Sequence, residues 1–155
     1  MMKYLRDELY GVFGDEKKTK EWWIQRKRLD KEFKRIQKKF PQSFVEEILE
    51  GNGFHDSHVL QFLVDAQAEK SNLRMTLEDG FEPEARHIIF LQNIEQLTIN
   101  DFLLGEWLYC EVLPQKRGRF SLEVMFSNNG SLYIEFEKLD YIKGITNDSA
   151  ADKKE

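Results

Sequence analysis

Cysteine is almost absent. Cys110 is the only one in 155 residues, so no internal disulfide can form, and a reducing compartment, the cytoplasm, is expected. Nine glycines and three prolines are too few for a collagen-like or linker-like chain. No stretch approaches the roughly 18 consecutive apolar residues of a membrane span, so none is expected. The stretch from Met1 to Gly14 carries Asp7 and Glu8 and lacks an apolar signal-peptide core, so no leader is expected either. Phosphate-binding frames are missing: neither G-x-G-x-x-G nor G-x-x-x-x-G-K-[ST] occurs. The hydrolase and metalloprotease signatures G-x-S-x-G and H-E-x-x-H are missing as well. What the chain has in quantity is aromatic rings: twelve Phe, five Tyr and three Trp, too many for a disordered polymer. Its length suits one domain, expected over residues 1–145. Residues 146–155 (Thr-Asn-Asp-Ser-Ala-Ala-Asp-Lys-Lys-Glu) carry no large apolar side chain and are expected to form a disordered tail.

Charge is unevenly spread. Between Asp15 and Lys39 lie 11 Lys/Arg and 5 Asp/Glu, a balance of +6, whereas the remaining 12 basic and 23 acidic residues give −11. A basic segment on an acidic body can mark a nucleic-acid or partner surface, but solvated helix faces also collect lysines.

That basic segment has helical periodicity. Trp22, Leu29, Phe33, Ile36 and Phe40 share one face from about Thr19 to Phe40, with Lys27, Lys31, Lys34 and Lys38 opposite. Pro41 ends it. Ser43 and Glu46 fit a capping box for a second, short helix that Gly51 stops. A weaker pattern at Leu5, Leu9, Val12 and Phe13 predicts an opening helix. After Gly53 the period becomes two, with strands expected near 60–64, 73–78, 87–91, 107–113, 120–126 and 132–136. The run Ile88-Ile89-Phe90-Leu91 suits a strand covered on both faces. For the last pair, a three-residue loop, Asn128-Asn129-Gly130, sets Phe126 opposite Leu132 and Val124 opposite Ile134, keeping apolar residues on one face. The expected class is α+β: N-terminal helices packed on an antiparallel sheet of five or six strands.

Two groups of residues stand out as candidate sites. His55, Asp56 and His58, just after Gly51-Asn52-Gly53, supply imidazoles and a carboxylate, the donors of a divalent metal site or of a base with its orienting acid. On a strand, however, His55 and His58 point to opposite faces, and Asp56 can instead bond the turn. The second group is an outer sheet face: the hairpin register sets Glu123 opposite Glu135 and Met125 beside Tyr133. If Trp107, Tyr109 and Glu111 share that face, it is an acidic surface studded with aromatics, a candidate interaction face. Cys110, flanked by Leu108 and Val112, has the setting of a buried inert thiol. Neighbouring acids such as Glu46/Glu47 and Glu78/Asp79 are ordinary in a chain with 28 of them.

Phe40-Pro41 closing a basic helix, a short helix, and a strand opened by Phe54-His55-Asp56-Ser57-His58-Val59 occur together here. In these features, and in Ile88-Ile89-Phe90 and Trp107-Leu108-Tyr109, the chain resembles a group of uncharacterised bacterial domain proteins, mainly of Firmicutes. The resemblance spans roughly Lys20 to Tyr141 and implies no activity or functional residue. At the level of fold the chain is also similar to immunity proteins that neutralise contact-dependent toxins. The expected function is that of a small, non-catalytic cytoplasmic binding protein, of the immunity or accessory kind, acting on another protein without a cofactor, as a monomer or homodimer. The alternatives are nucleic-acid binding through helix 19–40 and a metal-dependent enzyme built on His55, Asp56 and His58.

Overall fold

The computed structural model describes residues 2–5, 14–66, 69–101 and 105–145. The helix expected through Leu9, Val12 and Phe13 and the tail expected over 146–155 lie outside these residues. Helix α1 spans Glu16–Ile36 and starts earlier than its apolar stripe, because Asp15 caps it by accepting from the Lys18 N–H at 3.1 Å. One 3₁₀ turn, Gln37–Lys39, carries the chain to Phe40 and Pro41. Helix α2, Gln42–Leu49, does not use the Ser43/Glu46 capping box. Pro41 is its N-cap, and the Pro41 carbonyl accepts from Phe44 and Val45, so Ser43 already lies inside the first turn.

Eight strands follow: β1 His58–Asp65, β2 Asn72–Glu78, β3 Ala85–Gln92, β4 Gln96–Asn100, β5 Trp107–Pro114, β6 Phe120–Phe126, β7 Ser131–Phe136 and β8 Lys138–Ile145. They form two antiparallel sheets of four, ordered β1-β2-β3-β8 and β4-β7-β6-β5, rather than one sheet of five or six. The α+β class stands; the single sheet is corrected. The reason is a corner. Only Glu137 separates β7 from β8, and only Asn93–Glu95 separates β3 from β4, so one two-stranded ribbon passes through both sheets. The bend puts three residues opposite two, with Asn93 left-handed at φ 53°, which is the signature of a bulge. Glu137 N–H donates to Gln92 O and Glu95 N–H to Glu135 O, while the Arg119 guanidinium bonds the Asn93 carbonyl and sits 3.3 Å from Glu95. At the other side the sheets touch where Asp56 N–H donates to Trp107 O and Trp107 N–H to Ser57 O.

The inner faces meet in one core, into which α2 inserts Phe44, Val45 and Ile48. Rings link its parts: Phe40 packs on Phe33 and Phe120, and Phe44 and Trp107 both pack on Phe54. Strand β3 alternates rather than being covered on both sides. Ile89 and Leu91 are inside, and Ile88 and Phe90 are half-buried on the outer face. A second cluster forms on the outer face of β5 and β6, where Trp22 and Leu29 of α1 and Met2 and Leu5 pack on Met125, Tyr109 and Leu113.

Two expected registers shift. The β6–β7 loop is three residues long but lies one residue earlier, Ser127-Asn128-Asn129, with Phe126 N–H donating to Gly130 O. Asn129 takes the left-handed position at φ 65°. Gly130 is needed for another reason: a Cβ there would meet the Asp101 carbonyl oxygen at 2.3 Å. Val124 therefore pairs with Leu132 and Leu122 with Ile134, which preserves the faces but puts Glu123 opposite Tyr133, not Glu135. Glu111 and Glu123 are the carboxylates directly opposed. The other shift is at Trp107. A register irregularity between Trp107 and Tyr109 turns the indole inward against Phe54 and Phe126, so it does not share the face of Tyr109 and Glu111.

Candidate functional site

A cleft of about 510 Å³ opens between α1, the loop after α2 and β5. Successive positions of α1 supply one wall. Trp22 turns inward and Trp23 outward, their rings edge to face at 4.9 Å, and Arg26 and Asp30 pair at 3.3 Å one turn apart. Arg26 also reaches the free carbonyl of Ile48 at the end of α2, at 3.4 Å. Tyr109 lies across from this wall, 5.7 Å from the Trp22 ring and stacked on His55 at 6.0 Å. Cys110 lies among the lining residues. Burial pushes its thiol up to about 12, with only partial relief from Arg26, which favours the protonated form over the thiolate.

The other wall is the turn that carries the His-Asp motif. Gly53, Phe54 and Asp56 all have positive φ, 57°, 65° and 63°. For Phe this is a strained conformation, and it persists because the ring is locked in the core between Phe44, His87, Trp107 and Tyr141. His55 Nδ1 lies 2.8 Å from the Leu108 carbonyl, so the ring satisfies an edge group of β5. Its Nε2 lies 3.4 Å from Asp56, while His58 turns to Glu106 at 3.5 Å. His55, Asp56 and His58 therefore do not converge on one point. They serve the turn and the joint between sheets, and His55 alone faces the cleft.

The acidic, aromatic face is largely covered. Trp107 is in the core. Tyr109 lies under α1, and Glu111, 1% exposed, accepts the backbone N–H groups of Lys3, Tyr4 and Leu5 at 2.6–2.8 Å. Burial holds its carboxyl above the ordinary value; those three N–H groups offset this only in part, and Glu123 adds to it. Tyr133 and Glu135 remain half-buried, joined by a 2.7 Å hydrogen bond from the phenol. Burial first, and then Glu135, push that phenol up to about 12.

Another grouping was not foreseen. Donor atoms of Glu47 on α2, Asp79 after β2 and His87 on β3 lie within 4.8 Å of one another. His87 is fully buried: its Nε2 is 2.6 Å from Asp79 Oδ2, and its Nδ1 is 2.6 Å from the Tyr141 hydroxyl. Burial raises the Asp79 carboxyl, but the hydrogen bonds with His87 and from the Glu82 and Phe81 N–H groups outweigh it and hold the group below its usual range. Burial, Glu47 and Asp79 together push the Tyr141 phenol up. In sequence Glu47 and Asp79 are unremarkable acids 32 positions apart. The one available signal was His87, a polar residue at an inward position of an apolar strand.

No protein-family model matches the chain, and neither does any curated protein or solved structure.

Proposed function

We propose that the protein is a non-catalytic binding protein of a reducing compartment, the cytoplasm, whose partner is another protein that seats side chains in the cleft between α1 and β5. The observation that supports this is the cleft's construction. Aromatic walls formed by Trp22 and Tyr109 lead to a rim where Trp23 is 53% exposed. An apolar side chain of the partner would displace water from these rings, while Arg26, Asp30 and Asn52 offer polar contacts around it. Such aromatic anchors carry most of the energy at protein interfaces. The cleft's volume falls within the ~300–1,000 Å³ of typical ligand sites. Its reactive groups are engaged elsewhere: the Cys110 thiol is protonated, and His55 Nδ1 is bonded to a main-chain carbonyl.

The test is affinity capture with the wild type and Trp23→Asp as parallel baits. The expected result is a partner held by the wild type and weakened roughly 30-fold or more by the substitution, at unchanged melting temperature. A partner held equally by both baits, or none held across several salt concentrations, removes the reading.

A second reading, nucleic-acid binding, is favoured by one observation. Lys27, Arg28, Lys31, Lys34, Arg35, Lys38 and Lys39 are all exposed along α1 and the turn after it. Binding of this kind would fall steeply with salt, so an unchanged electrophoretic mobility of DNA and RNA at ~50 mM salt removes it.

A further inference from the structure

We propose that Glu47, Asp79 and His87 hold one divalent transition-metal cation of the zinc type, clamping α2 to the turn between β2 and β3. The site is distinct from the cleft and does not depend on what the cleft binds. The geometry carries it. Nε2 of a fully buried imidazole faces a carboxylate oxygen at 2.6 Å, and two groups with lone pairs come that close only around a positive particle, either a proton or a metal ion. The carboxylate of Glu47 stands within 4.8 Å of both. Among the described residues no lysine or arginine forms an ion pair with Glu47 or Asp79, so no fixed cation of that kind already occupies the place of a divalent ion.

The donor set selects the class of ion. An imidazole nitrogen favours zinc and its neighbours over calcium or magnesium, and two carboxylates with one histidine make the three-ligand set of a zinc site that keeps an open position. Donors of one tetrahedral zinc ion each stand ~2.0–2.2 Å from it, so two of them lie roughly 3.4 Å apart. The imidazole–carboxylate pair, at 2.6 Å, must therefore open by about 0.7–1 Å for the metal to replace the proton, a shift within reach of side-chain rotation. The surroundings are already those of a ligating histidine. Tyr141 at 2.6 Å can take the Nδ1 hydrogen, which directs the Nε2 lone pair at the ion and fixes the ring. Asp79 is held in place by the N–H groups of Phe81 and Glu82, at 2.9 and 2.8 Å on its other oxygen, which leaves Oδ2 for the metal.

The test is calorimetric titration of the tag-free, chelator-treated full chain with zinc chloride, with cobalt(II) as the visible-absorption probe and magnesium as the control. The expected result is one zinc per chain, a melting temperature that rises with zinc and falls back with chelator, and no response to magnesium. Glu47→Gln, at a half-buried helix position, and Asp79→Asn should each weaken zinc by at least the ~10–100-fold that loss of an outer-shell partner costs, whereas the double variant His55→Ala/His58→Ala should bind as the wild type does. Should Asp79→Asn fail to fold, Glu47→Gln with unchanged circular dichroism decides alone. Three results would overturn the proposal: no saturable zinc binding, zinc affinity untouched by Glu47→Gln, or affinity lost with the His55/His58 pair. Equal affinity for magnesium would overturn the zinc class.

Discussion

The outer faces of the two sheets make an instructive pair. The face of β5, β6 and β7 carries Tyr109, Glu111, Glu123, Met125, Tyr133 and Glu135, a composition that suggests water on one side. It is nevertheless the covered one, packed under Trp22 and Leu29 of α1 and under residues 2–5. The face of β1, β2, β3 and β8 carries Leu63, Arg74, Thr76, Ile88, Phe90 and Ile142, and its Leu63 and Ile142 are half exposed. Arg74 lays its guanidinium 5.8 Å over the Phe90 ring, which shields part of it. Composition does not decide which face is covered. The decision lies with the amphipathic stripe of α1, which finds Met125 and Tyr109, and with main-chain N–H groups that satisfy the one acid caught beneath.

The contrast breaks most visibly at Trp22. Trp22→Ala removes the ring that joins α1 to Tyr109 and should cost about 3–5 kcal/mol in urea denaturation. A loss below ~1 kcal/mol would mean that α1 is not held to the sheet by this stripe. Next is Glu111. Glu111→Ala leaves three backbone N–H groups without their acceptor and should cost about 1–3 kcal/mol, with faster proteolysis near residues 3–5. Equal stability and equal cleavage would show that the segment is held by Met2 and Leu5 alone.

Much of this was legible in the sequence. Trp22, Leu29 and Phe33 announced their helix face, and Val124, Leu132 and Ile134 their sheet face, because period alone reports burial. Period does not report bends or bulges. The step between Trp107 and Tyr109 reversed one indole, and the corner at Asn93 and Glu137 turned the expected single sheet into two. Strands β4 and β8 passed unnoticed because each is one arm of that corner, too short or too polar to stand out by itself. The His-Asp motif was visible, but its side chains turn to the Leu108 carbonyl, to each other and to Glu106. The tighter grouping at His87 depends on residues from α2, the turn after β2, and β3, whose meeting no local pattern encodes.

Two buried acids sharpen the comparison through pH. Glu111, under the covered face, has its carboxyl raised by burial. Its contribution is thus fully present below the unfolded value of 4.5 and is lost as pH rises through the raised folded value. Relative to Glu111→Gln, the wild type should lose stability as pH climbs above 4.5. Asp79, inside, is held low by His87 and two N–H groups, so its contribution is present above 3.8 and is lost as pH falls below it. Relative to Asp79→Asn, the wild type should lose its advantage only in that acid range. Parallel chemical denaturation of the three proteins from pH 3 to pH 7 reads both slopes, and slopes of the same sign would refute the contrast.

The smallest effect is expected on the uncovered face. Ile142 pairs with Ile88 across β3 and β8 but is 54% exposed, so replacing it removes little buried surface. Ile142→Thr keeps β-branching and should change stability by no more than about 0.5 kcal/mol. A larger loss that grows with protein concentration would have a specific meaning. The face would then be covered in solution by a second copy, since only an association makes stability depend on concentration. Sedimentation of wild type and variant separates the cases: a monomer in both leaves this face to water, and a dimer dispersed by one hydroxyl makes it the counterpart of the face that α1 already covers.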